Sequence, residues 1–280
     1  MRYCSAEEAV RHINDGEYLH WPCVAGAPEV LIESLVGRAD RGELHHVNIR
    51  HLYTEGYADY VLPQYREVFH LESFFVGGNV RKATQSGLAG HIPCSVSESA
   101  RMVRSGACPC DVVMLMVSEP DAEGRVSLGI SVDYMPTAIE RARLAIVQVN
   151  RYMPFTYGDA VVKTHGENII ASNGREVPAL FVHHDVPLRE ASPLLLSETD
   201  IAIGRHVAEL IPDGATMQIG IGNMPTAVLA QLSDHKDLGV VYGHGDGRQC
   251  DDRRDVPFND PCLLQEYAVP GRRQCHPRHA

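Results

Sequence analysis

The chain has 280 residues, 44% hydrophobic and 22% charged, the proportions of a globular protein that buries a sizeable core in one large domain or two modest ones. A formal net charge of −11 argues against nucleic-acid partners, which need a basic surface. The N-terminus lacks an apolar signal core and no apolar run is long enough to cross a bilayer, so a cytoplasmic protein without membrane spans is expected.

Apolar runs alternate with amphipathic segments, which predicts an α/β protein with a mostly parallel sheet. In chain order, Ser5-Ala-Glu-Glu8 is a capping box for a helix through about Ile13, closed by Asp15-Gly16. An apolar strand follows, then Val24-Ala-Gly-Ala-Pro28 and a helix over Glu29–Leu35. Further strands are expected at Val47–Tyr53, Ser73–Val76, Val112–Val117, Val126–Val132, Ala145–Val149 and Ala179–His183. Pro187–Pro193 reads as a linker. Ser197-Glu-Thr-Asp200 then starts a second helix, Ile201–Leu210, stopped by Pro212-Asp-Gly214.

This second start echoes the first: helix, Asp-Gly, apolar strand, glycine turn, helix. The echo predicts two related domains, 1–190 and 197–242, with the boundary near 187–197. Beyond Asp237-Leu-Gly-Val-Val-Tyr242 no sustained period of 2 or 3.6 remains, and residues 243–280 read as an irregular tail.

The stretch richest in chemistry is Met217-Gln-Ile-Gly-Ile-Gly-Asn-Met-Pro225, followed by a helix over Thr226–Leu232. Gly220 and Gly222 lack a Cβ, so the turn lets bare N–H groups approach a ligand at a helix N-terminus. A dinucleotide fingerprint would need a third glycine where Pro225 stands, which weakens a nicotinamide-cofactor reading. A tight strand-to-helix turn with no ligand is the plain alternative.

Other candidates carry less. Asn79, Arg81 and Lys82 follow a Gly-Gly turn, where a cation near a helix start suits a bound phosphate or carboxylate, or is simply solvated. Ser97 and Glu98 would face a cleft, although Ser97 also suits a helix N-cap. Asp133 and Tyr134 suit loop hydrogen bonds better than chemistry. His45-His46, His51 and His183-His184 suggest metal ligands, but adjacent histidines point to opposite faces of a strand and neither pair chelates by itself, so no metal is expected. Cys108-Pro-Cys110 lacks further ligands, and the eight cysteines, without a C-x-x-C pair, read as free thiols. No Gly-x-Ser-x-Gly elbow is present.

Six motifs in order give the chain a family resemblance. They are Phe75-Val-Gly-Gly-Asn-Val-Arg-Lys82; Ile92-Pro93 with Ser97-Glu98; and Val117-Ser-Glu-Pro-Asp121 with Gly124. Then follow Ser127-Leu-Gly-Ile-Ser-Val-Asp-Tyr134; Gln148-Val-Asn150 with Met153-Pro154 and Gly158-Asp159; and Gln218-Ile-Gly-Ile-Gly222 with Pro225. Together they resemble the acetyl-CoA hydrolase/transferase proteins, notably 4-hydroxybutyrate and acetate CoA-transferases.

The resemblance implies two open-sheet α/β domains, the second apparently truncated here. It implies transfer of CoA between an acyl thioester and a short-chain carboxylate, with coenzyme A as substrate and no permanently bound cofactor. A glutamate attacks the thioester, the acyl-glutamyl anhydride is captured by CoA thiolate, and the glutamyl-CoA is opened by the second acid. Gly220, Ile221, Gly222, Asn223 and Met224 match the family's CoA-binding turn, whose N–H groups stabilise each oxyanion. Family members are often dimeric or larger, so a homo-oligomer is expected.

The family's glutamate falls near Gly243, where this chain reads Val241-Tyr-Gly-His-Gly245, and no Glu occurs between Glu209 and Glu266. The nucleophile is missing from its place and impaired activity is expected, leaving a non-catalytic acyl-CoA-binding or subunit-binding remnant, or a hydrolase, as alternatives. A shift of reading frame near residues 240–245 would explain the lost glutamate and the lost periodicity together. Codons for His244-Gly-Asp246 can be read one base later as Thr-Glu-Met.

Overall fold

The computed structural model describes residues 1–190, 194–220 and 222–241. The expected glutamate position near Gly243, the tail 243–280 and Ile221 lie outside the described residues. The chain divides into two compact units, Met1–Glu190 and Ala191–Ala280.

In the first unit the elements run α1 (Ala6–Val10), β1 (Tyr18–His20), α2 (Glu29–Asp40), β2 (Val47–Arg50), β3 (Phe69–Ser73), α3 (Arg81–Gln85), β4 (Gly90–His91), α4 (Val96–Ser105) and β5 (Val112–Val117). They continue β6 (Val126–Ser127), α5 (Met135–Arg141), β7 (Leu144–Val149), β8 (Val161–His165), β9 (Asn168–Ile170) and β10 (Glu176–His183). The ten strands form one sheet in the order β4-β3-β2-β1-β5-β7-β10-β9-β8-β6. The run from β4 to β10 is parallel; β9, β8 and β6 extend it antiparallel.

Every side chain of β5 and β7 is buried. That is why β5 reads as an unbroken apolar run and β7 as one broken only by Gln148: helices cover both faces of a parallel sheet. Val113, Leu115 and Val117 pack with Val103 of α4 and Ala138 and Ile139 of α5. Val112 and Met114 point the other way, against Val10 of α1 and Leu31 and Leu35 of α2. Arg38 of α2, itself buried, donates to the Val10 and Ile13 carbonyls and so caps the end of α1.

Several expected boundaries move. β3 lies at Phe69–Ser73 rather than Ser73–Val76, because its alternating burial seats Phe69, Leu71 and Ser73, whereas Phe75 is 53% exposed on the bend that follows. β2 stops at Arg50 rather than Tyr53, and β6 covers only Val126–Ser127 of the expected Val126–Val132. Gly129, at φ 62 with no room for a Cβ beside Met153, turns the chain there. α2 runs five residues beyond Leu35, to Asp40.

The second unit holds α6 (Glu198–Ala208), β11 (Thr216–Gln218), α7 (Asn223–Leu229) and β12 (Gly239–Val241), with β11 and β12 parallel. Ser197 and Asp200 form a reciprocal capping box on α6. α7 begins at Asn223, three residues before the expected Thr226, so Pro225 sits inside its first turn.

The two units begin alike. In the first, Gly16 (φ 85) donates to His46 O while Asp15 accepts from the N–H groups of His45 and His46, just before β2. In the second, Gly214 (φ 76) donates to Lys236 O while Asp213 accepts from Lys236 N–H, just before β12. Each Asp-Gly turn thus ties the entry of one strand to the entry of its parallel neighbour.

Candidate functional site

In an open parallel sheet the ligand crevice lies at the carboxyl ends of the strands, where the order of connection reverses. From β1 the chain winds outward to β2, β3 and β4; from β5 it winds the other way to β7 and β10. The reversal falls between β1 and β5. The turns after these strands therefore define the first unit's candidate site.

After β1 the chain runs Trp21-Pro22-Cys23-Val24-Ala25-Gly26, then enters α2. Val24 adopts φ 48 and Asp133, just before α5, adopts φ 44. Left-handed backbone at a β-branched residue is an outlier costing on the order of 1–3 kcal/mol, and it persists only when neighbours over-determine it. Here they do. Asp133 accepts from Cys23 N–H at 2.8 Å and from Cys23 Sγ–H at 2.9 Å. Ser131 Oγ–H donates to Cys23 O at 2.7 Å, and Val24 N–H donates to Tyr53 O at 2.7 Å. A Cβ on Gly26 would lie 2.4 Å from Ser131 Cβ, so only glycine permits this approach.

The turns after β2 and β3 adjoin it. Thr54, buried, bridges Val24 and accepts from Asn79 Nδ2 at 3.2 Å. A Cβ on Gly77 would lie 2.9 Å from Thr54 O. Asn79 Oδ1 is buried and lacks a hydrogen-bond partner, a donor-seeking atom beside the crevice. Tyr53 gives its hydroxyl hydrogen to Glu55 at 2.6 Å and packs edge-on against Phe75; burial and that carboxylate push its pKa up to about 12.

Beneath lies a buried polar layer that the sequence did not single out. His20 Nε2 faces Pro109 O at 2.8 Å, which can only accept, so Nε2 carries the proton and Nδ1 accepts from Tyr134 OH at 3.1 Å. His51 pairs with Tyr60 OH at 3.1 Å, and both pack on Trp21. Burial holds His20 down to about 4 and His51 down to about 3, so both are neutral near pH 7.

The sequence candidates divide. Asn79 joins the crevice rim through Thr54. Arg81 is the first residue of α3, exposed, with no ion pair among the described residues. Ser97 is not an N-cap: Ser95 caps α4, and Glu98 closes the capping box, its carboxylate accepting from Ser95 N–H and Oγ–H at 2.8 Å each. No hydrogen bond or ion pair links Ser97 or Glu98 to Asn79 or Arg81. Cys108 and Cys110 are buried free thiols, and among the described residues no three His, Cys, Asp or Glu are grouped to hold a metal.

In the second unit Gly220, Gly222, Asn223 and Met224 form the exposed turn from β11 into α7. Gly222, at φ 109, is the N-cap, a backbone that disfavours any L side chain. Thr226 N–H makes the helix's first bond, to Gly222 O, so the N–H groups of Asn223 and Met224 precede the helical ladder. Asn223 Nδ2 donates to Leu195 O at 3.4 Å. An anionic oxygen suits such a turn.

The sequence pattern of the acetyl-CoA hydrolase/transferase N-terminal domain matches residues 1–183. The chain is 35% identical over 236 residues to the 4-hydroxybutyrate coenzyme A transferase of Clostridium kluyveri, covering 84% of this chain and 52% of that protein. It is 34% identical over 237 residues to a succinyl-CoA:acetate/propanoyl-CoA:succinate CoA transferase of Fasciola hepatica, covering 84% and 47%. Among solved structures, RipA from Yersinia pestis superposes with a TM-score of 0.75 at 28% identity, covering 86% of this chain and 56% of that one. The 4-hydroxybutyrate CoA-transferase of Porphyromonas gingivalis gives 0.65 at 31%, covering 86% and 54%. The chain spans about half the length of the curated relatives it matches. It belongs to the acetyl-CoA hydrolase/transferase family.

Proposed function

We propose that this chain carries the crevice and the glycine turn of an acyl-CoA:carboxylate CoA-transferase acting on the acetate, butyrate or 4-hydroxybutyrate class. Gly220–Met224 would receive the thioester, with Asn223 and Met224 N–H groups facing the developing oxyanion. Removing one such donor costs roughly 3–4 kcal/mol in related chemistry. Asn79 and Arg81 would hold the carboxylate, Asn79 with the Nδ2 hydrogen that it does not give to Thr54; Ser97 and Glu98 serve their own helix first. The observation that carries this reading is Gly222, whose φ of 109 at the N-cap of α7 follows the Gln218-Ile-Gly-Ile-Gly222 motif.

The same reading makes the chain impaired as written, because no Glu stands between Glu209 and Glu266. That absence favours a second reading, an acyl-CoA-binding remnant. Residues 197–242 would be the start of the second domain and 243–280 the product of a shifted frame. Coding DNA lacking a Thr-Glu-Met-like segment in the alternative frame would remove the frameshift.

The test is incubation with butyryl-CoA and labelled acetate. The expected outcome is binding without label exchange from this chain, and exchange once the frame is repaired. CoA release without exchange would make it a hydrolase. Failure of a folded, frame-repaired protein to exchange label would contradict the transferase reading.

A further inference from the structure

The second unit repeats the opening of the first but leaves uncovered two surfaces that the first covers. With Gly16 and Gly214 of the two Asp-Gly turns aligned, β11 takes the place of β1, β12 that of β2, α6 that of α1 and α7 that of α2. β1 is paired on both edges, with β2 on one and β5 on the other. β11 is paired on one edge, with β12, and among the described residues nothing pairs with the other. That second edge is the one β5 occupies beside β1. An unpaired edge is a row of N–H and C=O groups that templates a further strand.

The helices differ in the same way. Ala9 and Val10 of α1 are fully buried, in a cluster that joins them to Met114 of β5, Ile146 of β7 and Val182 of β10. α6 buries the face it turns to α7: Ala208 is buried, and a Cβ on Gly204 would lie 2.6 Å from Ala227 O. Ile203, Val207 and Leu210 stand at i, i+4 and i+7, one stripe of the helix and of the turn that ends it. They are 38%, 37% and 82% exposed, and Val207 falls at the aligned place of Ala9, which is 0% exposed. The strands that share a core with α1 are β5, β7 and β10. They have no counterparts among the described residues of the second unit, so one occupant answers to both surfaces.

We propose that β11 and α6 form a docking surface for a polypeptide equivalent to the part of the relatives that this chain does not match. The matches cover 52% and 47% of the two curated relatives, so about as much again of each lies outside. The partner adds a strand to the unpaired edge of β11, parallel as β5 is to β1, and lays apolar side chains on Ile203, Val207 and Leu210. The chemistry that fits is an unbroken apolar run such as Val112–Val117, because a strand set there is buried on both faces. This rests on the reading of residues 197–242 as the start of a second CoA-transferase domain.

The test co-expresses the full chain with the unmatched portion of the Clostridium kluyveri transferase. The purified chain is then read by native mass spectrometry and by hydrogen exchange. The comparison is a chain carrying Val207→Lys and Leu210→Lys together, both at exposed positions, so that its own fold is spared. The expected result is a one-to-one complex in which the amides of Thr216–Gln218 exchange more slowly by about tenfold or more. The double variant should retain about tenfold less partner. Recovery of the wild-type chain without partner overturns the proposal. So does a complex that leaves exchange at Thr216–Gln218 unchanged or ignores the double variant, since the partner then sits elsewhere. A homodimer that the double variant dissociates, with no partner bound, would give the surface to a second copy and overturns it too. The same holds if the chain alone, as a monomer, already protects these amides and the α6 stripe. A complex that forms as expected yet exchanges no label between butyryl-CoA and acetate contradicts the transferase reading and leaves the docking standing.

Discussion

The two units open with the same local plan and support it differently. In the first, β1 is buried at Leu19 and His20, and the turn after it is pinned by Asp133, Ser131 and the Tyr53 carbonyl. In the second, β11 is exposed at Thr216 and Gln218, and Leu195 and Leu210 are 90% and 82% exposed. Capping boxes, Asp-Gly turns and glycine turns are local and recur in both. Burial is tertiary, and among the described residues only the first unit has two core clusters on opposite faces of one sheet. A shared local plan therefore sets where helices and strands begin without setting how rigid the turn between them is.

The contrast can be broken first with acid. His20 and His51 of the first unit are fully buried and neutral, with pKa values held at about 4 and about 3; the second unit has no fully buried histidine among the described residues. Below the ordinary histidine pKa the unfolded chain takes up protons that these side chains refuse. Their stability contribution is thus complete above about pH 6.5 and is lost as pH falls toward 4, by roughly 1.4 kcal/mol per unit for each histidine. Trp21, the lone tryptophan, packs on His51 at 5.5 Å and reports the change. The expected result is a falling denaturation midpoint in Trp21 fluorescence between pH 6.5 and 4. A flat midpoint would contradict the neutral assignment.

A smaller effect sharpens the same contrast. Gly26→Ala would press a Cβ to 2.4 Å from Ser131 Cβ, an overpacking expected to cost about 1–3 kcal/mol. Among the described residues Gly220→Ala meets nothing closer than Pro225 Cγ at 3.6 Å and should be neutral or stabilising by up to about 1 kcal/mol. Thermal denaturation distinguishes them. Equal losses from both would mean the two turns are equally constrained.

Much of this organisation could be read from residues alone. Val112–Val117 appeared at its observed bounds because a fully buried parallel strand writes itself as an unbroken apolar run. The helix start at Ser197 was carried by its capping box. Phe74-Phe75-Val76 misled for the opposite reason: apolar residues on a bend resemble a strand, and only alternating burial across Phe69, Leu71 and Ser73 tells them apart. The Cys23–Asp133 contact joins residues 110 apart, so no local pattern foretold it, although Asp133 was expected to bond a loop. His51 drew notice only beside the histidines that suggest a metal, and its place in one buried layer with His20 was invisible because lone histidines in apolar runs carry no spacing signal.

The central claim is that the glycine turn of the second unit receives a CoA thioester, and calorimetric titration of butyryl-CoA into this chain and into Gly222→Val tests it most directly. The expected result is saturable binding to the wild-type chain, weakened about tenfold or more (~1.4 kcal/mol) in the variant, because valine resists the φ of 109 at that N-cap. No saturable heat from the wild-type chain, or equal affinity in a folded Gly222→Val, would contradict it.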